Sequence, residues 1–127
     1  MILFFDSSDF DSTRLTLIGA KVIEHNFATK NLSEQLLSET KKFLAKHKIR
    51  FKQINTLAVV TGPGGFSRIR TVVATVNALA FGLNIPVIGL PKDKLPTDLR
   101  KLKTWPGKKL VMPKYDRQPT ITISRKS

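Results

Sequence analysis

Two segments of this chain carry residue types that could do chemistry, and both are turns. In Val59-Val60-Thr61-Gly62-Pro63-Gly64-Gly65-Phe66-Ser67, a buried-looking apolar run enters a glycine turn and then a helix start. Such a turn aims backbone amides and the positive end of a helix at an anion. It is not a Walker A loop, because no Gly-Lys-Ser/Thr follows. As a dinucleotide fingerprint it is imperfect: Gly62-x-Gly64 is present, but the third position is Ser67 and Pro63 has no amide hydrogen to donate. Asp93, after the next apolar run, could serve as a ribose-binding acid, so a Rossmann half-domain stays open. A plain strand-to-helix turn that needs glycine geometry is the simpler alternative.

The second segment is Asp6-Ser7-Ser8-Asp9-Phe10-Asp11-Ser12. Asp6, Asp9 and Asp11 could hold Mg²⁺ beside a nucleotide phosphate, since hard cations take carboxylate oxygens. A capped, solvated turn between strands is the favoured alternative for Asp9 and Asp11, and Asp6 is the best candidate of the three. With no cysteine, disulfides, thiolate catalysis and cysteine-bound zinc are excluded. The two histidines, His25 and His47, lie far apart in sequence, so no histidine-based metal or catalytic cluster is expected. No nucleophile–base or general acid–base constellation is readable, which argues against an enzyme and leaves the catalytic residues at none.

These turns need elements to hold them. Residues 2–6 read as a buried strand delivering Asp6 to a sheet edge, 14–18 as a half-buried strand and 21–28 as a third. Asn31, with Glu34 three residues on, reads as a capping box opening a helix to about residue 47. Its apolar stripe is Leu32, Leu36, Leu37, Phe43 and Leu44. Residues 56–61 form a buried strand, about 67–83 a long helix and 85–90 a last buried strand. The order is βββαβαβ, the ribonuclease-H-like α/β core, whose functional edge lies at the carboxyl ends of its parallel strands.

The chain has 127 residues, 41% of them hydrophobic, which suits one core. Its formal charge is +13, pointing to an anionic partner or to a solvated basic shell. Residues 92–127 hold 11 Lys and Arg against three Asp, so +8 of that charge lies in the last 36 residues. The expected division is therefore a lobe over 1–91 and a basic C-terminal extension over 92–127. The extension should contain a short helix near 97–104 and short strands over 108–112 and 119–124. Lys101, Lys103, Lys108, Lys109 and Arg117 are its candidate RNA or nucleotide contacts, with Trp105 and Tyr115 as stacking surfaces. The opening Met-Ile-Leu-Phe-Phe-Asp has no basic n-region, and no run approaches membrane-helix length, so a cytoplasmic location without membrane contact is expected.

The long helix is apolar on more than one face. Ile69, Val72, Val73, Val76, Ala80 and Leu83 share a stripe suited to a sheet. Arg70, Ala74, Asn77, Ala78 and Phe81 form a second stripe, offset by more than a third of a turn. Either the first helix covers this second stripe, or a partner does.

The loop Gly62-Pro63-Gly64-Gly65-Phe66-Ser67-Arg68-Ile69-Arg70 resembles the Gly-Pro-Gly-Ser-Phe-Thr-Gly-Leu-Arg signature of the TsaB (YeaZ) family. Ile2-Leu3-Phe4-Phe5-Asp6-Ser7-Ser8 is similar to that family's opening strand and Asp-Thr-Ser. Ile85-Pro86-Val87-Ile88-Gly89-Leu90 is similar to its Ile-Pro-Val-x-Gly-Val strand. The likeness runs over residues 1–93. The loop's usual Ser and Gly are Gly65 and Arg68 here, the histidine opening the first helix is Leu32, and a later proline is Ser38. A basic segment of about 35 residues stands where members carry a second lobe, and Asp116-Arg117 resembles the Asp-Ala-Arg that opens it. The resemblance implies a single lobe of the actin/sugar-kinase/Hsp70 (ASKHA) fold and a non-catalytic scaffold subunit. Its implied partners are the catalytic TsaD, which modifies adenosine-37 of ANN-decoding tRNAs, and the ATPase TsaE. It also implies Gly62, Pro63, Gly64, Phe66 and Arg70 as the loop motif. Leu36, Arg70, Ala74, Asn77, Ala78 and Phe81 become the expected partner interface, and Asp6 a nucleotide contact. Expected alongside are no tightly bound cofactor, ATP or ADP only at the interface with partners, contact with tRNA, and a homodimer when the partner is absent. A stand-alone nucleotide-binding domain with weak ATPase or kinase activity, and a small basic RNA-binding protein, are the alternatives.

Overall fold

The computed structural model describes residues 1–9, 11–64 and 66–109. Its elements run β1 (Ile2–Asp6), β2 (Ser12–Ile18), β3 (Val22–Ala28), α1 (Leu32–Lys46), β4 (Thr56–Gly62), α2 (Phe66–Leu83) and β5 (Val87–Pro91). They form one five-stranded sheet in the order β3-β2-β1-β4-β5. β1, β2 and β3 pair antiparallel as a meander, while β4 joins β1 in parallel and β5 joins β4 in parallel. This is the βββαβαβ order expected from the sequence.

The central strands are apolar on both sides, because parallel strands joined by crossovers are covered on both faces. On one face Leu3, Phe5, Leu15, Leu17, Leu57 and Val59 meet both helices. The predicted sheet-facing stripe of α2 lies there, with Ile69, Val72, Val76 and Ala80 at most 1% exposed. From α1 the same core receives Leu32, Leu36, Phe43 and Leu44. Leu37, expected in that stripe, is 41% exposed, since it lies about 100° around the helix from Leu36.

The other face of the sheet holds Ile2, Phe4, Ile18, Ala58, Val60, Ile88 and Leu90. Its cover comes from the basic segment after β5. Leu102 is fully buried against these residues, with Leu95, Leu99 and Trp105 packed around it. The expected short helix is a 3₁₀ helix over Leu99–Thr104, capped by the Asp98 carboxylate on the Arg100 amide at 3.0 Å. Lys108 exchanges two backbone hydrogen bonds of 2.7 Å with Val87, an antiparallel bridge on the free side of β5. Residues 92–109 thus form a strap across the sheet. Residues 110–112 of the strand expected over 108–112, and all of that over 119–124, lie outside the described residues.

Helix ends follow local chemistry. The opening of α1 is capped by Gln35 and not by Glu34: Gln35 Oε1 accepts from the amides of Lys30 and Asn31, both at 2.8 Å. Asn31 makes no side-chain cap bond to the helix, and its Oδ1 accepts from Ser33 Oγ instead. Both helices end through a left-handed residue, Lys48 at φ 58° and Asn84 at φ 56°. The next amide in each case turns back to a helix carbonyl, Ile49 to Leu44 and Ile85 to Ala80. Among the described residues no helix is long and apolar enough to cross a membrane.

Because the strap closes a sheet face, Leu102→Ala should destabilise the fold by about 2–4 kcal/mol, the usual cost of emptying a buried leucine site. Urea unfolding of the full chain measures this. A loss below about 1 kcal/mol would mean the strap is not part of the cooperative fold.

Candidate functional site

The carboxyl ends of β1, β4 and β5 lie side by side, because the three strands are parallel neighbours. This edge gathers Asp6 with Ser7 and Ser8 from β1, the glycine turn from β4 and Lys92 from β5. Arg14 joins them through the antiparallel pairing of Asp6 with Arg14. The turn begins with a register shift between Val60 and Gly62 on β4. Gly62 then takes φ 134°, a value side-chain-bearing residues rarely adopt, and Pro63 follows through a cis bond. Gly64 is a close-approach glycine: a Cβ there would sit 3.1 Å from the Ile69 side chain and 3.5 Å from the Ser8 backbone. Arg68, in the first turn of α2, donates from Nε to the Ser7 carbonyl at 3.3 Å. The glycine loop and the Asp6 turn are therefore packed against each other.

Asp6 is 5% exposed and carries four hydrogen bonds. Oδ1 accepts from the Ser8 amide at 3.0 Å and the Ser8 hydroxyl at 2.6 Å. Oδ2 accepts from Lys92 Nζ at 2.7 Å and Arg14 Nη2 at 3.2 Å. Burial alone would push the Asp6 carboxyl up. The hydrogen bonds from Lys92 and Ser8, with the Lys92 charge, outweigh it and hold the group below the ordinary carboxylate range. So occupied, Asp6 does not fit a magnesium ligand for a nucleotide: a cation would have to displace Lys92 or Arg14. Asp9 and Asp11 are exposed and make no cluster with it, and among the described residues no three acids or histidines gather into a metal site. The hydroxyls below the turn are linked to one another, Ser7 Oγ to Thr13 Oγ1 and Thr13 Oγ1 to Thr29 Oγ1, each at 2.9 Å.

The remaining expected residues separate by position. Leu36 is a correction: it is 1% exposed in the core beneath α1, so it is not available to a partner. Along α2, Arg70, Ala74 and Ala78 are exposed, Asn77 is half-buried and Phe81 is 87% exposed. The first helix of the chain leaves this stripe uncovered. Gly82 beside Phe81 has open space where a Cβ would stand. Phe66 opens α2. Lys101, Lys103, Lys108 and Lys109 are exposed on the strap, and Arg117 lies outside the described residues. Sequence reasoning missed Arg14 and Lys92 as the cations holding Asp6. The signal for Lys92 was its place just after β5, at the same sheet edge as Asp6. His25 and His47, distant in sequence, both pack on Phe43, with ring centroids at 5.6 and 5.3 Å. His25 also pairs with Glu39 at 3.1 Å.

A carboxyl whose folded pKa is depressed stabilises the fold above its ordinary range, and loses that contribution as pH falls through the depressed value. Asp6→Asn should therefore cost about 1–3 kcal/mol near neutral pH, since Lys92 and Arg14 can regain some water. The difference from the unaltered chain should shrink below about pH 4. Urea unfolding at stepped pH tests this, and a penalty that grows on acidification would contradict it.

Residues 22–92 match the family described as TsaD, tRNA N6-adenosine threonylcarbamoyltransferase. A curated relative, the tRNA threonylcarbamoyladenosine biosynthesis protein TsaB of Haemophilus influenzae, is 29% identical over 82 residues. The match covers 65% of this chain and 35% of that protein, so the chain spans about a third of the relative's length. Two solved structures from Pseudomonas aeruginosa share the fold at 23% identity, each over 71% of this chain and 42% of the other. One is an uncharacterized protein with similarity to peptidase YEAZ, with a TM-score of 0.66, and the other is YeaZ, at 0.64. With a family match over more than half of its residues, this chain belongs to the TsaD family, and it shares its fold with YeaZ.

Proposed function

We propose that the chain is a non-catalytic, TsaB-like subunit that pairs through α2 with a TsaD-like protein, in the conversion of tRNA adenosine-37 to threonylcarbamoyladenosine. The observation that carries this is the exposed stripe Ala74, Ala78 and Phe81, in which Phe81, at 87%, is the most exposed large apolar side chain among the described residues. A phenylalanine ring in water forgoes about 2 kcal/mol of burial, and contiguous apolar surface of this kind marks an interface. Small residues at positions 74 and 78 let a second helix approach closely, with Arg70 and Asn77 at its margin. A TsaE-like ATPase belongs to the same reading, with ATP or ADP held where the proteins meet. Without its partner the chain would pair with a second copy through the same stripe.

Ala78→Arg places a long cation in the middle of the stripe. Because Ala78 is exposed, the variant should keep its melting temperature within about 2 °C, as surface substitutions do. It should also lose co-purification with a TsaD-like protein. Retained pairing would remove α2 from the interface, and unfolding of the variant would make the stripe core.

The alternative reading, a stand-alone nucleotide-binding domain with ATPase activity, would need Asp6 to manage a metal. Its carboxylate is instead committed to Lys92, Arg14 and Ser8. The isolated chain should hydrolyse ATP no faster than buffer. Turnover abolished by Asp6→Asn would favour the alternative.

A further inference from the structure

The strap creates a second surface, at the sheet edge opposite the glycine loop. The amino-terminal ends of β1, β4 and β5 and the β2–β3 hairpin meet there, and an open groove of about 490 Å³ runs between them and the strap. Trp105 and Lys103 form one wall, and Asn55 and Thr56 belong to the other. Trp105 is half-buried: it packs against the Leu102 cluster and also lines the groove. Lys103 Nζ donates to the Gly19 carbonyl of the hairpin at 3.2 Å, which holds the ammonium at the groove. Pro86 and Gly107, packed together, also line a neighbouring second hollow that bears Phe81, Lys108 and Lys109. Neither hollow is lined by a carboxylate. Arg100 on the same strap is already paired with Asp98 at 3.1 Å, whereas no ion pair forms at Lys103, Lys108 or Lys109 among the described residues.

We propose that this groove binds a single-stranded segment of nucleic acid, with a base stacked on the Trp105 indole and phosphates met by Lys103, Lys108 and Lys109. Aromatic faces flanked by unpaired cations are the means by which proteins hold unpaired strands. An acidic protein surface is the competing occupant, and polyglutamate stands for it in the test below. Asn55 adds an amide that can both donate to and accept from a base edge. The second hollow shares Phe81 with the stripe assigned to pairing through α2, so the test uses the isolated chain, in which no partner covers that stripe.

Trp105 is the one tryptophan of the chain, so its fluorescence reports the contact directly. The full chain is titrated with oligouridylate, and with oligothymidylate of equal length, at stepped KCl concentrations. The expected result is saturable quenching by one or both, weakening as salt rises. Trp105→Phe should retain most of the affinity. Trp105→Leu, followed by anisotropy of a labelled oligonucleotide, should lose about tenfold in affinity with the salt slope unchanged. Lys103→Gln, Lys108→Gln and Lys109→Gln together should lower the slope of log K against log salt by about 2. Should Trp105→Leu fail to fold, Trp105→Phe and the lysine variant carry the test. The proposal is overturned if the lysine variant keeps the unaltered slope, if Trp105→Leu binds as well as the unaltered chain, or if polyglutamate quenches Trp105 as strongly as the oligonucleotides do.

Discussion

Strands β1 and β4 have no polar face. Phe4 and Phe5, neighbours on β1, point to opposite sides of the sheet and are both essentially unexposed, as are Ala58 and Val59 on β4. A strand apolar on both sides must be covered on both sides, and this requirement organises the molecule. Both helices serve one face. The other face would remain wet if the chain stopped at β5, and the basic segment after it lays Leu102, Leu99 and Leu95 across it. Its leucines recur among the lysines: the lysines stay in water while the leucines close the sheet.

The same strands set the chemistry of the edge where they end. β1 delivers a carboxylate into a place with little water, and a buried charge persists only when paired. Lys92, the first residue after β5, and Arg14, opposite Asp6 on β2, supply the pairing. One buried carboxylate thus joins the meander, the last parallel strand and the start of the strap. The glycine turn lies over this group, close enough at Gly64 that a single carbon more would press on Ile69.

Much of this was legible in the residue order. Alternation and apolar runs gave each strand to within two residues, and the spacing of Ile69, Val72, Val76 and Ala80 gave the buried face of α2. The resemblance gives Leu36 to a partner, whereas its place in the apolar stripe of α1 gives it to the core, where it lies; of that stripe it is Leu37 that faces water. The cap of α1 was misread because Glu34 and Gln35 are adjacent, and only the path of the entering chain decides which one reaches back. The strap's role was hidden by its charge. Its composition reads as a solvated extension, although Leu95, Leu99 and Leu102 recur at i, i+4 and i+7, the spacing of a buried stripe. Nor does residue order reveal that His25 and His47 share Phe43, since that depends on how β3 lies beneath α1.

The strap is held at two ends by different means, Lys92 to Asp6 at one sheet edge and the paired backbone bonds of Lys108 and Val87 at the other. Between them its apolar contacts on the sheet are long-range in sequence, its backbone hydrogen bonds are local 3₁₀ turns, and one exposed side-chain bond, Lys103 to the Gly19 carbonyl, reaches the hairpin. Such a segment can lift away as a unit while the helices keep the opposite face closed. Such an opening would wet the side chains beneath Leu102 and leave those beneath α1 and α2 dry, while the in-plane backbone bonds between strands stay closed, so the two faces of one sheet are shut by separate locks.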